Sequence, residues 1–314
     1  MVYSLAEKAP EKHTSVKKFF CRHIRPRFAT MTGIMTDYKQ FQILLREKGA
    51  YVTSPADRRP TPARVSSINS FLYAFTIIRI VVRCAWNHLL GRFGYDRWAE
   101  ICSASIRFAE RLGATVTFEG FERRGAYDGP VVYVSNHMST LETMVYPTAL
   151  NAFGKLAIIL KKSLEDIPVV GAASRAVGSI AVTRKNARAD LVTVLEQGSR
   201  RIADGSSVLL LPQGTRQTVF EAKRFNTLGA KLAERAKVPL VPLAVRTDFL
   251  QTGKLIKDFG IVDPRKPILF ACGPVLMPDM GAKKMHEKSV AFIEGKIKAW
   301  GLPVAAGPAS HPET

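Results

Sequence analysis

An imidazole works as a general base when a carboxylate holds one ring nitrogen and the other is free to take a proton. The run Asn136-His137-Met138-Ser139-Thr140-Leu141-Glu142 offers that pair, directly after a β-branched stretch ending at Ser135. If a helix begins near Ser139, which can cap it, His137 sits in a loop at a strand end and Glu142 faces back from the first turn. Such a base and orienter need no serine or cysteine nucleophile. Alone, the His-x4-Glu spacing is weak, because a histidine after a strand is more often a structural hydrogen-bonding group. A second turn, Pro212-Gln213-Gly214-Thr215-Arg216, follows the apolar run 209–211. Gly214 lets backbone approach a ligand, and Thr215 with Arg216 supplies a hydroxyl and a planar fork suited to phosphate. By itself this is an ordinary Pro-Gly turn with a surface arginine.

Both turns need a sheet edge to hold them. After Gly113 short β-branched runs at 115–121, 130–135, 156–161, 178–183, 207–211, 238–245 and 267–273 read as strands. Helical stretches at 139–150, 163–176, 187–203 and 226–236 lie between several of them. This alternation predicts an α/β fold, with a mostly parallel twisted sheet covered by helices on both faces. Ligands in such sheets bind beyond the carboxyl ends of the strands, which is where both turns fall. Boundaries are expected at 1–65 for a basic, partly disordered arm and 66–112 for a helical membrane-associating segment. The α/β domain then spans 113–300, and 301–314 forms a flexible tail.

Residues 1–65 carry thirteen Lys/Arg against five Asp/Glu and five prolines, with a short helix expected around 41–48. A solvated tail and a membrane-docking arm both fit that composition. Residues 70–90 are long enough to span a bilayer but contain Arg79, Arg83, Asn87 and His88. Each mid-membrane arginine would cost roughly 2.5–3.5 kcal/mol by insertion scales. An in-plane helix, its arginines at lipid phosphates, avoids most of that cost. Spanning, in-plane and buried placements all remain open. On a helix Arg79, Arg83 and Asn87 are expected to share a face, and a second helix at 95–112 would close a hairpin with the first.

The whole chain has 46 Lys and Arg against 26 Asp and Glu, a net charge of +20, which favours an anionic partner. Cys21, Cys84, Cys102 and Cys272 form no C-x-x-C pair, so reduced thiols are expected rather than a disulfide framework or a zinc knuckle. The first residues lack the apolar run of a secretory signal, so the chain is expected on the cytoplasmic side. Hydrolase signatures, the G-x-S-x-G elbow and the H-E-x-x-H helix, are absent.

In combination the motifs resemble the glycerolipid acyltransferases that include 1-acylglycerol-3-phosphate acyltransferase. That family's pattern is Asn-His-x4-Asp/Glu, a lysine- and glycine-bearing block, Pro-Glu-Gly-Thr-Arg, and Val-Pro-Ile-Val-Pro. Here the blocks read Asn136-His137 through Glu142, and Lys161-Lys162 with Pro168, Gly171 and Gly178 through Arg184. They continue with Pro212-Gln213-Gly214-Thr215-Arg216 and Val238-Pro239-Leu240-Val241-Pro242. The likeness covers roughly 115–275, in the family's order. It implies acyl transfer from acyl-CoA or acyl carrier protein to the hydroxyl of a lysophospholipid, with 1-acylglycerol-3-phosphate the first acceptor to consider. His137 and Glu142 would be catalytic. Arg184, Gly214, Thr215 and Arg216 would bind substrate phosphate, with Asn136, Lys161 and Gln213 in support. No metal and no cofactor beyond the acyl donor are implied. Two departures stand out. Glu142 replaces the common aspartate, and Gln213 replaces the usual glutamate, which keeps other acceptors open, such as an amino-acid or zwitterionic lysolipid.

Membrane association at the cytoplasmic face, on an anionic lipid surface, fits the basic charge and the apolar run at 71–90. Nucleic acid is the competing partner, but no reading motif accompanies the charge. A non-catalytic lipid-binding relative is the other alternative; the His137 and Glu142 pair argues against it.

Overall fold

The computed structural model describes residues 37–54, 59, 61–253 and 258–305. In chain order these form α1 (Tyr38–Lys48), β1 (Tyr51–Val52), α2 (Ser67–Leu89), α3 (Tyr95–Arg111), β2 (Val116–Glu119) and α4 (Glu122–Gly125). Then come β3 (Val132–Ser135), α5 (Thr140–Leu150), β4 (Lys155–Lys161), α6 (Lys162–Glu165), α7 (Pro168–Ala176) and β5 (Ile180–Val182). The chain continues with α8 (Ala187–Ala203), β6 (Ser206–Leu210), α9 (Leu228–Ala236), β7 (Leu240–Arg246), β8 (Ile268–Cys272) and α10 (Gly281–Ala299).

The eight strands make one sheet in the order β1-β2-β8-β7-β3-β6-β4-β5. Its functional half, β7-β3-β6-β4-β5, is wholly parallel. Strand β8 runs antiparallel to β7, and β1 to β2, so the sheet is mixed toward the β1 edge. Alternate strand residues divide two cores. Tyr133, Leu156, Leu209 and Val241 pack with α1, α2, α3 and α5 on one face. Val134, Ala157, Leu210 and Leu240 pack with α8, α9 and α10 on the other. Strands β3 and β6 are neighbours whose following segments leave toward opposite faces, into α5 and α9 respectively. In parallel sheets that divergence opens a crevice at the carboxyl rim.

All seven expected strands form, each within two residues of its expected limits, and α8 spans the expected 187–203. The stretch 163–176 is instead two helices. Pro168 has no N–H and clashes with a preceding turn, so Ile167 is extended (ψ 115°) and Pro168 opens α7.

The short helix expected around 41–48 forms as α1, and the described part of the basic arm expected over 1–65 is docked at 37–54; residues 1–36, 55–58 and 60 lie outside the described part. Phe41, Leu45 and Tyr51 are buried, and Phe41 packs edge-on against Tyr51 and Phe118 with ring centroids 5.0 Å apart in each pair. Strand β1 pairs with β2, and Thr53 Oγ1 donates to the buried Glu110 carboxylate at 2.7 Å. Apolar burial and ladder hydrogen bonds thus outweigh the polar composition of this stretch. The expected tail at 301–314 is corrected through 305, where the Ala305 N–H donates to Phe220 O at 2.9 Å; residues 306–314 are outside the described part.

Helices α2 and α3 pack together, and α2 also rests on α7. One face of α2 is buried through Tyr73, Ile77, Ile80 and Cys84. Its outer face is also apolar: Phe71, Phe75, Val82 and Trp86 are all more than half exposed. Among the described residues α2 alone is long and apolar enough, by length and composition, to cross a bilayer. The expected three-residue polar stripe is corrected. Arg79 and Arg83 are exposed, but each i+4 step turns the helix about 40° past a full circle, and Asn87 arrives on the buried side. There its Nδ2 donates to Arg83 O at 2.8 Å and its Oδ1 accepts from Arg97 Nε at 3.0 Å. Cys84, Cys102 and Cys272 are free and buried.

Candidate active site

The crevice between β3 and β6 brings the two sequence motifs together. Ser139 caps α5 in a full capping box: its Oγ accepts from Leu141 N at 3.1 Å, while Glu142 accepts from Ser139 N. That box turns the Glu142 carboxylate back over the helix start, where it meets His137 Nδ1 at 2.8 Å. Glu142 is wholly buried and also accepts from Met138 N (2.7 Å), Ser139 Oγ (2.8 Å) and Thr247 Oγ1 (2.7 Å). Burial alone would raise its pKa. The His137 bond and charge, the Thr247 hydroxyl and the Ser139 N–H outweigh that and hold it below the usual carboxylate value. An ionised carboxylate only accepts, so the proton on His137 lies on Nδ1 and Nε2 carries the free lone pair. His137 retains 8% exposure.

The loop is clamped from three sides. Asn136 makes two 2.8 Å bonds with the backbone of Val245 on β7, donating from Nδ2 and accepting at Oδ1. The His137 N–H donates to Gln213 Oε1 at 2.8 Å, and the Gln217 N–H donates to His137 O at 2.9 Å. Gln213 is buried and serves the histidine backbone directly. A change at this position would therefore act first on the support of His137.

Arg184 follows β5 with a left-handed backbone (φ 58°), a conformation that costs a non-glycine residue roughly 1–2 kcal/mol. Asp190 on α8 holds it there: its carboxylate accepts from Thr183 N at 2.8 Å and Arg184 N at 2.7 Å. The Arg184 guanidinium reaches the carbonyl of Gly214, itself at φ 70°. Desolvation lowers the Arg184 pKa; Asp190 works against that shift and nearby Arg216 adds to it. Arg216 pairs with Asp258, which also accepts from Thr140 Oγ1 at 2.9 Å. The Thr-Arg turn and the first residue of α5 therefore share a carboxylate, and two guanidinium groups flank the 214–216 turn. Thr215 is exposed on that turn. Lys161 ends β4 at the same rim with an exposed side chain.

Thr247, Gln217 and Asp258 escaped the sequence reading. Thr247 had a signal, since it immediately follows β7 as His137 follows β3. Gln217 and Asp258 carry none that local spacing supplies.

The family profile described as Acyltransferase matches residues 115–246. The 1-acyl-sn-glycerol-3-phosphate acyltransferase of Pseudomonas aeruginosa is 33% identical over 212 residues, covering 67% of this chain and 75% of that protein. A chloroplastic 1-acyl-sn-glycerol-3-phosphate acyltransferase of Arabidopsis thaliana is 30% identical over 141 residues, 45% of this chain and 37% of that protein. The crystal structure of the 1-acyl-sn-glycerophosphate acyltransferase PlsC from Thermotoga maritima shares the fold, with a TM-score of 0.55 at 15% identity, over 76% of this chain and 97% of that one.

Proposed function

The chain belongs to the family of the 1-acyl-sn-glycerol-3-phosphate acyltransferases, and from that membership we propose that it acylates the free hydroxyl of a lysophospholipid by general-base catalysis at His137. The acceptor proposed first is 1-acylglycerol-3-phosphate, and the donor is an acyl thioester of coenzyme A or acyl carrier protein. The observation that carries this mechanism is the 2.8 Å contact of His137 Nδ1 with a carboxylate already filled by other donors.

His137 Nε2 takes the proton of the glycerol hydroxyl as its oxygen attacks the thioester carbonyl. Glu142 stabilises the imidazolium that forms. When the tetrahedral intermediate collapses, the C–S bond breaks and the imidazolium returns its proton to the departing thiolate, so acid and base balance over one turnover. Arg184, Thr215 and Arg216, with Gly214 giving close backbone approach, would bind the acceptor phosphate. Fixing that phosphate fixes the hydroxyl relative to His137, which is catalysis by orientation.

Helix α2 fits a lipid surface in the plane of the interface. Its inner face is packed lengthwise on the protein, so lipid has access to the outer apolar face alone, with Arg79 and Arg83 along one edge at headgroup depth. On this reading the enzyme rests on the cytoplasmic side of an anionic membrane.

His137→Ala tests the mechanism. With labelled acyl-CoA and a panel of lysolipids, from lysophosphatidate to zwitterionic and amino-acid lysolipids, the wild type should acylate lysophosphatidate preferentially. The variant should lose transfer while keeping its melting temperature within a few degrees. Transfer at the wild-type rate by the variant would sink the assignment, and preference for a zwitterionic acceptor would move it to that lysolipid.

A further inference from the structure

Arginines gather where α2 and α3 meet. Along α2 each i+4 step advances about 40°, so Arg79, Arg83 and Asn87 walk from the exposed edge toward the neighbouring helix. Asn87 completes the walk by accepting from Arg97 Nε of α3 at 3.0 Å. Arg79 and Arg83 therefore stand on the edge of α2 that is turned toward α3. From α3 come Arg107 and Arg111, also one turn apart, the first half-buried and the second exposed. Phe108, next to Arg107, packs on Tyr73 of α2 with ring centroids 5.5 Å apart, which holds this end of α3 against the α2 turns that precede Arg79. Among the described residues no carboxylate pairs with any of the four arginines, and the acids at hand are taken. Glu100 holds Arg97 at 2.5 Å, and buried Glu110 accepts the hydroxyl of Thr53 at 2.7 Å and that of Tyr51. Burial lowers the Arg107 pKa, and Arg111, Arg83 and Arg79 lower it further against Glu100, so the four cations share one field.

Like charges held side by side repel, and an anion of more than one charge relieves them. A phosphomonoester carries about −1.5 to −2 near pH 7 and presents three acceptor oxygens, which guanidinium forks bond in pairs. A phosphodiester offers a single charge and fewer free oxygens. Apolar surface borders the arginines: Phe75 lies one turn before Arg79 and Trp86 one turn after Arg83, both more than half exposed, with Val82 between them. Hydrocarbon attached to an anion seated here would lie along that face. A phosphomonoester lipid meets both conditions, inorganic phosphate meets the first alone, and a nucleic-acid backbone is a phosphodiester. The rim cations Arg184 and Arg216 answer to Asp190 and Asp258, whereas these four belong to α2 and α3.

We propose that Arg79, Arg83, Arg107 and Arg111 form a second anion site on this chain, one that binds the phosphomonoester headgroup of a membrane lipid outside the His137 crevice. The proposal rests on the in-plane lipid contact of α2 given above and gives that contact a chemical preference. In the proposed reaction the diacyl product keeps its phosphomonoester, so product already in the bilayer would hold the enzyme at the surface where its acceptor lies.

The test is binding of the full chain to phosphatidylcholine vesicles that contain either phosphatidic acid or, at about twice its mole fraction, phosphatidylglycerol, so that surface charge is matched. Wild type should bind the phosphatidic acid vesicles about tenfold more tightly. Arg79→Lys with Arg107→Lys keeps both charges and removes two forks. In that pair the preference should fall below about twofold, while phosphatidylglycerol binding stays within about twofold of wild type. Arg83→Lys with Arg111→Lys, at two exposed positions, repeats the test should the half-buried Arg107 prove necessary for folding. Arg216→Ala, at the catalytic rim, should keep the preference. Equal binding of the two vesicles by wild type, or a preference that survives both lysine pairs, overturns the proposal. A preference lost in Arg216→Ala and kept in the lysine pairs places the phosphate at the rim and overturns it too. If wild type sediments with neither vesicle, the α2 lipid contact itself fails and the site falls with it. Inorganic phosphate and duplex DNA are the soluble arms: arginine-dependent binding of either, without a vesicle preference, makes the ligand soluble and overturns the lipid assignment.

Discussion

Replacing Glu142 by glutamine isolates the charge behind the proposed base. The carboxylate meets five donors: His137 Nδ1, the N–H groups of Met138 and Ser139, and the hydroxyls of Ser139 and Thr247. A glutamine can keep its oxygen toward His137 and Met138 and turn its NH2 toward the two hydroxyls, which rotate to accept. The tautomer and the ring position then survive, and the lost quantity is the attraction between carboxylate and imidazolium. At about 4 Å between charge centres and an effective dielectric near 20, that attraction is about 4 kcal/mol. Since it exists only once the imidazole is protonated, it should appear in kcat, as a loss of about 10³-fold. The Ser139 N–H keeps the oxygen it meets at 2.9 Å and loses only its second contact at 3.0 Å, so the cost in stability is that of the carboxylate's charge in its bonds to the remaining donors. Because the folded-state pKa of Glu142 is depressed, its ionisation contributes stability above the unfolded value of about 4.3 and loses it as pH falls through the lower folded value. The stability gap between wild type and variant should therefore close in acid. Single-turnover acyl transfer and chemical denaturation at pH 7 and pH 3.5 read both quantities. A folded variant with kcat within tenfold of wild type would refute the imidazolium-stabilising role.

Three further perturbations follow from the same contacts. Gln217 has one amide oxygen for two donors: it can accept from Gln213 Nε2 (3.2 Å), or turn over to accept from Arg224 Nη1 (3.2 Å), leaving a surplus N–H either way. Gln213→Glu supplies the missing acceptor and a charge near the His137 backbone, so the variant should stay active with the acid limb of its pH–rate profile moved to higher pH; an unmoved limb counts against the coupling. Asp258→Asn frees Arg216 from its carboxylate and should lower KM for lysophosphatidate severalfold, most at low salt, as steady-state kinetics would show. No change there, together with no change in Arg216→Ala, would remove Arg216 from the phosphate site. Phe75→Glu with Trp86→Glu on the exposed face of α2 should abolish sedimentation with anionic liposomes while sparing turnover of a monomeric short-chain acceptor; retained sedimentation would place the membrane contact elsewhere.

What the sequence disclosed and withheld divides along contact range. Strands such as 206–210 and 240–246 are buried on both sides, and continuous β-branched and aliphatic runs announce that without any partner being known. The pairing of His137 with Glu142 is equally local, because capping geometry turns an N3 carboxylate back over its own helix start. Thr247, Gln217 and Asp258 are different: each reaches the 137–142 loop from 80 or more residues away, and only the sheet order, with β7 and β6 flanking β3, makes them neighbours. The docking of 37–54 was hidden for a related reason. The arm's charges dominate composition, but Phe41, Leu45 and Tyr51 suffice to dock α1 and β1 because the β2 edge and Phe118 offer them a surface that no local window contains.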